Sequence, residues 1–319
     1  MAETTTLSKK KLPELSLNSY INGSDDEKNA FATALNDSLI EFGFVIIKDQ
    51  DLVTPELIAD AYKISAEFYA KPVEEKRKYI NSGGGHRGYT AFGTEHAKDN
   101  ATPDLKEFWH VGQLNPPKDG DHSYYEDNIW PDQDGFKPVF TAMYKGLEDM
   151  GLIMLEALAS QIDPGNDYLP DMAKNGNSIL RILHYPPIGK DTIPNAVRAA
   201  AHEDINLITL LIAANGRGLQ LLTRDNEWLE VETDPENVIV DAGDMLAHIT
   251  GGKIPSTTHR VVNAGDLTQS RYSIPFFMHP RPDSVLRPID GFCDNPEDVE
   301  VITAKESLER RLKAIGLMK

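Results

Sequence analysis

The chain has 319 residues and a formal net charge of −18, with 40% hydrophobic and 26% charged residues. These proportions fit a globular chain with a sizeable core in one large or two modest domains, and the acidity argues against a nucleic-acid or anionic-membrane partner. A single cysteine, Cys293, excludes an internal disulfide framework and any cysteine-built zinc or iron–sulfur centre, and goes with a reducing, cytoplasmic setting.

Residues 1–11 are polar, end in Lys9-Lys10-Lys11 and read as a loose tail without the basic-then-apolar start of a secretory signal. Residues 12–17 alternate like a short strand. Ser24 and Glu27 have capping-box spacing, and Phe31, Leu35, Leu39 and Phe42 then recur at helical spacing until Gly43. Residues 44–47 read as a buried strand. Thr54-Pro55 opens a second helix, with Leu57, Ile58, Ala61, Tyr62, Ser65 and Phe68 on one face. The glycine-rich stretch 82–89 lacks the Gly-Lys-Ser/Thr of a phosphate cradle and reads as a flexible loop. Residues 113–137 read as a long loop. A third helix follows, with Phe140, Met143, Tyr144, Leu147, Gly151, Met154 and Leu158 on its core side.

From about 178 to 280 the texture changes to short β-rich runs at 179–183, 207–212, 219–222, 238–240 and 272–277. Asn215-Gly216-Arg217-Gly218, Asp225-Asn226 and Asp241-Ala242-Gly243-Asp244 supply turns. Many short strands at near-even spacing predict a sandwich or jelly roll. Thr303 and Glu306 form another capping-box pattern ahead of a closing helix carrying Leu308, Leu312 and Ile315. The expected organisation is mainly β with flanking helices. Residues 1–175 pack on a catalytic core at 176–285, and 286–319 form a C-terminal extension. No apolar run is long enough to span a membrane.

His202-Glu203-Asp204 falls in the β-rich region. Strand alternation turns residues two apart to one face, so the His202 imidazole and the Asp204 carboxylate point together. His259 lies 55 positions after Asp204. Two histidines and one carboxylate leave coordination positions open, the donor pattern of non-haem Fe(II) oxygenases. His-x-Asp pairs also occur as ordinary surface residues, so a second signal is needed. Arg271-Tyr272-Ser273, beginning twelve residues beyond His259, puts a guanidinium and a hydroxyl on one strand face, a fork for a carboxylate. A buried Arg271 requires an anion, either a core Asp or Glu or the distal carboxylate of a bound 2-oxoglutarate.

In this setting the chain resembles the isopenicillin N synthase-like family of Fe(II)/2-oxoglutarate-dependent oxygenases over most of its length. The resemblance rests on Leu12-Pro13-Glu14-Leu15, Glu41-Phe42-Gly43-Phe44, and Asp104-Leu105-Lys106-Glu107 with His110-Val111-Gly112. It continues through Arg181-Ile182-Leu183-His184-Tyr185-Pro186-Pro187, His202-Glu203-Asp204, Gly218-Leu219-Gln220, Gly243-Asp244-Met245-Leu246, Ser256-Thr257-Thr258-His259-Arg260-Val261 and Arg271-Tyr272-Ser273, all in the family's order. The resemblance implies a double-stranded β-helix wrapped by helices. It also implies His202, Asp204 and His259 as Fe(II) ligands and catalytic residues, and Arg271 and Ser273, with Tyr185 beside them, as the seat of the co-substrate carboxylate. Glu203 is not a ligand on this reading. O2 and 2-oxoglutarate would be consumed, succinate and CO2 released, and a small molecule hydroxylated, desaturated or cyclised.

One departure is Leu183, where many plant members have an Asn that can touch the co-substrate. Some relatives also keep Arg-x-Ser without consuming 2-oxoglutarate, so an iron oxidase of the same fold is the alternative. A non-catalytic ligand-binding barrel and a zinc hydrolase are the remaining rivals, and the second would leave Arg271 and Ser273 unexplained. Trp109, His110 and Phe277 are candidates for the pocket wall, with core packing or a surface pair as the alternative for each; His248 is a further substrate-side candidate against the same alternative, and His184 should face away from Tyr185. A monomer is the simplest assembly; no nucleic-acid or membrane partner is expected.

Overall fold

Local sequence sets most of the element ends. Strand β1 (Glu14–Ser16) is cut short by helix α1 (Leu17–Ile21), so Leu17 begins a helix instead of closing a strand. Ser24 caps α2 (Asp25–Phe42) through the reciprocal box, its backbone N–H donating to Glu27 Oε2 at 2.7 Å. Gly43 ends α2 at φ +68°, and a Cβ at this position would lie 2.3 Å from Thr257 Oγ1. Glycine is therefore demanded twice, by the left-handed turn and by the close approach of the chain leading to His259. β2 (Phe44–Lys48) follows directly, then α3 (Pro55–Tyr69), capped by Thr54 with Pro55 in its first turn, and the short α4 (Val73–Arg77). β3 (Gly88–Thr90) and β4 (Glu107–Gly112) precede the long α5 (Phe136–Ile162) and α6 (Tyr168–Ala173). All seven residues expected on the core side of α5 are buried.

This computed structural model describes residues 7–81, 86–94, 106–118, 124–163, 165, 167–187, 198–212, 218–264 and 268–314. The tail 1–6, glycine-loop residues 82–85, Asp104-Leu105, the turn residues Asn215-Gly216-Arg217 and Ile315 lie outside the described residues.

The β-rich half then runs through β5 (Ile179–Tyr185), β6 (Ala199–His202), β7 (Ile208–Ile212), β8 (Leu219–Leu222), β9 (Trp228–Glu230), β10 (Val238–Ala242), α7 (Asp244–Ile249), β11 (His259–Val261) and β12 (Arg271–Met278). A small hairpin of β13 (Val285–Leu286) and β14 (Ile302–Thr303) leads into α8 (Ala304–Ala314). Among the described residues the large sheet has the order β1-β2-β10-β7-β12-β5-β4-β3 and the small sheet β6-β11-β8-β9. The chain therefore enters the large sheet at β5, β7, β10 and β12 and the small one in between. That alternation is the double-stranded β-helix. The pairs are antiparallel except β1 with β2.

The large sheet has two unlike faces. One carries Val45, Ile47, Leu210, Ile212, Ile274 and Phe276 against α2, α3 and α5 in the main core. On the other face, Phe44, Ile46 and Ile239 meet Ala199, Leu219, Leu221 and Val261 of the small sheet in a second core. Burying each of the larger side chains contributes about 1.5–3 kcal/mol. Among the described residues no helix is long and apolar enough to cross a membrane.

A buried polar network pins β4 and β5 on the helix-covered face. Lys76 Nζ donates to both Glu107 oxygens, at 2.9 and 2.8 Å, and to Tyr69 O at 3.1 Å. Tyr89 OH also donates to Glu107, and His184 Nδ1 lies 2.8 Å from Glu107 Oε1. The His184 ring is stacked between Tyr69 and Tyr272, each at 5.0 Å. Burial works to raise the Glu107 pKa, but the hydrogen bonds from His184, Lys76 and Tyr89 outweigh it and hold the carboxyl below its usual range. Lys76→Met would leave a buried carboxylate short of its cation. It should cost about 3–5 kcal/mol, read as a lowered urea unfolding midpoint; an unchanged midpoint would show that the pair does not stabilise the fold.

Candidate metal centre

His202 is the last residue of β6 and His259 the first of β11, and the two stand directly opposite each other in the pairing of those strands. Their ring centroids are 4.4 Å apart. Between His259 and Val261 the register shifts, because Val261 pairs with Ala199 and β6 holds one residue more than its partner. This bulge lets Ala199 enter the inter-sheet core while His202 still faces His259. Asp204 is not on the strand that alternation implies. It lies two residues past the end of β6, where its carbonyl accepts from Asp244 N–H at 2.7 Å.

The three side chains converge. His202 Nε2 and His259 Nε2 lie 3.8 and 3.9 Å from Asp204 Oδ1, and one donor atom from each residue falls within 4.8 Å of the others. Such separations exceed hydrogen bonds and suit donors that share one cation. Each histidine directs Nδ1 at a backbone carbonyl, His202 to Ala200 O at 2.8 Å and His259 to Thr257 O at 3.2 Å. A carbonyl only accepts, so Nδ1 carries the proton and Nε2 keeps its lone pair. Thr209 Oγ1 donates to Asp204 Oδ2, which leaves Oδ1 for the shared position. Phe44 packs edge-on to the His259 ring at 5.5 Å. Asp204 and His259 are buried, whereas the His202 side chain is 42% exposed. Loss of water, followed by the neighbouring His259, lowers the His202 pKa to about 4. Two neutral imidazoles and one carboxylate, with no thiolate, are a donor set that fits Fe(II).

Glu203 turns outward, as expected. Its Oε1 accepts from Thr258 Oγ1 at 3.1 Å and its Oε2 pairs with Arg311 of α8 at 3.4 Å; Arg311 also reaches Asp244 at 2.6 Å. Asp241, expected in a turn, instead lies on β10 opposite Thr209, because strand pairing with β7 runs on through Ala242. It is buried, and burial first and Asp204 second push its carboxyl well above the usual carboxylate range.

The carboxylate fork lies on the same inter-sheet face. On β12, Arg271, Ser273 and Phe277 alternate inward, and Phe277 pairs with Thr209, the residue that holds Asp204. Arg271 is 3% exposed, yet its Nε and Nη1 have no hydrogen-bond partner. No core Asp or Glu pairs with it among the described residues. Tyr185 stands opposite Arg271, its ring 5.1 Å from the guanidinium, and Leu183 stands opposite the buried Ser273. Leu183 packs with Tyr185 and Phe108 in a small apolar cluster, so an aliphatic wall occupies the position where an Asn could have bonded the co-substrate.

The expected substrate-side residues divide. His110 and Phe277 come together around Arg181, which sequence reasoning missed. The Arg181 guanidinium lies 4.4 Å from the Phe108 ring centroid and 5.2 Å from that of Phe277, and its Nε donates to His110 Nε2 at 2.6 Å. Burial, then Arg181, hold the His110 pKa well below its usual value, which keeps the ring an acceptor. Trp109 points the other way, into the helix-covered core against Phe68 and Phe136, because its neighbours on β4 own the inner face. His184 faces away from Tyr185 into the Glu107 network. His248 is not on the substrate side: it lies on α7, and its Nε2 bonds Glu300 O at 2.7 Å.

Comparison with known proteins agrees with this geometry. Residues 176–280 match the 2OG-Fe(II) oxygenase superfamily, and residues 12–133 match the N-terminal region described for a non-haem dioxygenase in morphine synthesis. A 2-oxoglutarate-Fe(II) type oxidoreductase of Aspergillus fumigatus is 32% identical over 260 residues, covering 77% of this chain and 76% of its own. A 2OG-Fe(II) oxygenase family protein from Caulobacter crescentus is 38% identical, with a TM-score of 0.84 over 98% of this chain and 100% of its own. A full-length Neurospora crassa protein, solved in complex with alpha-KG, is 27% identical, with the same TM-score of 0.84 over 98% of this chain and 99% of its own.

His202→Ala and Asp204→Ala should each abolish stoichiometric Fe(II) retention, measured by metal analysis of anaerobically purified protein, while circular dichroism stays native. Thr209→Val, which removes only the hydroxyl behind Asp204, should weaken Fe(II) by about 10–100-fold in an anaerobic titration. Wild-type affinity in Thr209→Val would remove Thr209 from the site.

Proposed function

Because the chain belongs to the 2OG-Fe(II) oxygenase superfamily, we propose that His202, Asp204 and His259 hold its iron and that Arg271 and Ser273 seat the distal carboxylate of 2-oxoglutarate. The enzyme is an Fe(II)- and 2-oxoglutarate-dependent dioxygenase. When bound, Fe(II) couples O2 to the oxidation of 2-oxoglutarate to succinate and CO2 and to the oxidation of a second, small-molecule substrate.

What the chain supplies is position and protonation state. The Ala200 and Thr257 carbonyls fix both imidazoles as neutral Nε2 donors, and Thr209 fixes the free oxygen of Asp204. Arg271 offers two unspent N–H donors in a buried setting, and a carboxylate is the partner that matches a guanidinium fork. Tyr185 holds the guanidinium by its ring face and Leu183 closes the aliphatic side. Fixing the co-substrate at its far end removes the search for orientation at its reacting end. The substrate is placed against Phe277, Arg181 and His110, the inward row next to Thr209, and hydroxylation of a C–H bond there is the reaction this reading favours. The observation that carries it is the pair of orphaned Arg271 donors on the face that also holds the His-Asp-His cluster.

Succinate should appear in equimolar amounts with oxidised product when the enzyme is given O2, 2-oxoglutarate and a panel of small molecules. Product formed without succinate would point instead to an oxidase of the same fold. Arg271→Ala should raise the 2-oxoglutarate concentration for half-saturation by about 100-fold with Fe(II) still bound. Unchanged half-saturation would place the anchor elsewhere.

A further inference from the structure

A second arginine shares the environment of Arg271. Arg198 stands immediately before β6, is only 2% exposed, and its Nε has no hydrogen-bond partner among the described residues. The adjoining Ala199 pairs with Val261 of β11, the strand from which the chain returns to Arg271 at the head of β12. Burial lowers the basicity of Arg198, the neighbouring Arg271 lowers it further, and Tyr185 acts in the opposite sense. Two guanidinium groups are thus buried within electrostatic reach of each other, both with unspent donors. Like charges in a desolvated space repel, and each lacks hydrogen bonds that water would have given it. One anion between them relieves both conditions.

We propose that Arg198 is a second guanidinium in the seat of the distal carboxylate of 2-oxoglutarate, so that this carboxylate is held by Arg198, just ahead of β6, and by Arg271 together with Ser273 on β12. A carboxylate has lone pairs enough to accept a fork from Arg271, a hydroxyl from Ser273 and an N–H from Arg198 at once. Tyr185, with its ring against Arg271, closes the side that these donors leave. Arg198 lies outside the Arg271-Tyr272-Ser273 motif, so the sequence pattern gave no sign of it. The inference rests on the reading of Arg271 given above.

Binding measured by calorimetry on the anaerobic Fe(II)-loaded chain separates the two. The probes are 2-oxoglutarate and 2-oxobutyrate, which lacks the distal carboxylate. Arg198→Met should weaken 2-oxoglutarate by about 10–100-fold, Arg198→Lys should lose less, and neither should alter 2-oxobutyrate. Full 2-oxoglutarate affinity in Arg198→Met, with a large loss in Arg271→Met, overturns the role of Arg198 and leaves Arg271 in place. Full affinity in both variants overturns the seat altogether. An equal loss for both probes in Arg198→Met and Arg198→Lys would mean that Arg198 supports the fold of the site, and would likewise overturn the proposal.

Discussion

A buried guanidinium without a protein counter-charge is the constraint on which the site depends. Arg271 has two N–H groups that no atom of the described residues satisfies. Taking a charge out of water costs several kcal/mol unless it is paired, so Arg271 calls for an anion that the described residues do not supply. The chain has ample carboxylates, with a net charge of −18, and none of the described ones is spent on Arg271. Among the described residues the acid is absent where a core ion pair would need it, which is what supports the proposed ligand seat over a structural bridge.

The contrast across the sheet sharpens the argument. The same strands β4, β5 and β12 present Glu107, His184 and Tyr272 to the helices and Phe108, Leu183, Tyr185 and Arg271 to the inter-sheet space. On the helix side the Glu107 cluster is answered: Glu107 by Lys76, Tyr89 and His184, and His184 by Ser270. On the inner side Nε and Nη1 of Arg271 are left open among the described residues. A satisfied buried network fixes register and rigidity, whereas an open one costs stability until something binds. The closed network therefore holds in place the strands that the open one needs to be fixed.

Much of this was legible in the sequence. Gly43, the capping box at Ser24, the core side of α5 and strands β2, β5, β7, β8, β10 and β12 follow from apolar period and turn chemistry, which act locally. His202, Asp204, His259, Arg271, Ser273 and Tyr185 were named from motif order, and the structure brings the three candidate metal donors together. What failed was non-local. β6 reads Ala-Ala-Ala-His, with no β-branched residue to announce a strand, and it forms because β11 pairs with it. Trp109 and His110 are adjacent, and only the pairing of β4 with β5 decides which of them faces inward. His248 follows a Gly-Asp turn whose helical continuation draws it to Glu300. Arg181 opens a motif that says nothing of its neighbours, and Arg198 belongs to none; their environment becomes visible only when two sheets face each other.

The position of Asp204 shows how little of the triad is owed to strand alternation. Period two would align residues 202 and 204 only on a continuous strand, yet β6 stops at His202. Convergence is instead enforced by three separate devices. The bulge opposite Val261 brings His202 against His259, the Thr209 hydroxyl holds one oxygen of Asp204, and the Asp244 N–H holds its carbonyl. Thr209, Asp244 and Val261 come from three different elements of the jelly roll. A short peptide carrying His-x-Asp could not reproduce the arrangement, because the donor geometry is a property of sheet closure. The same closure buries Arg271, so the candidate metal donors and the proposed carboxylate seat form together when the sheets close.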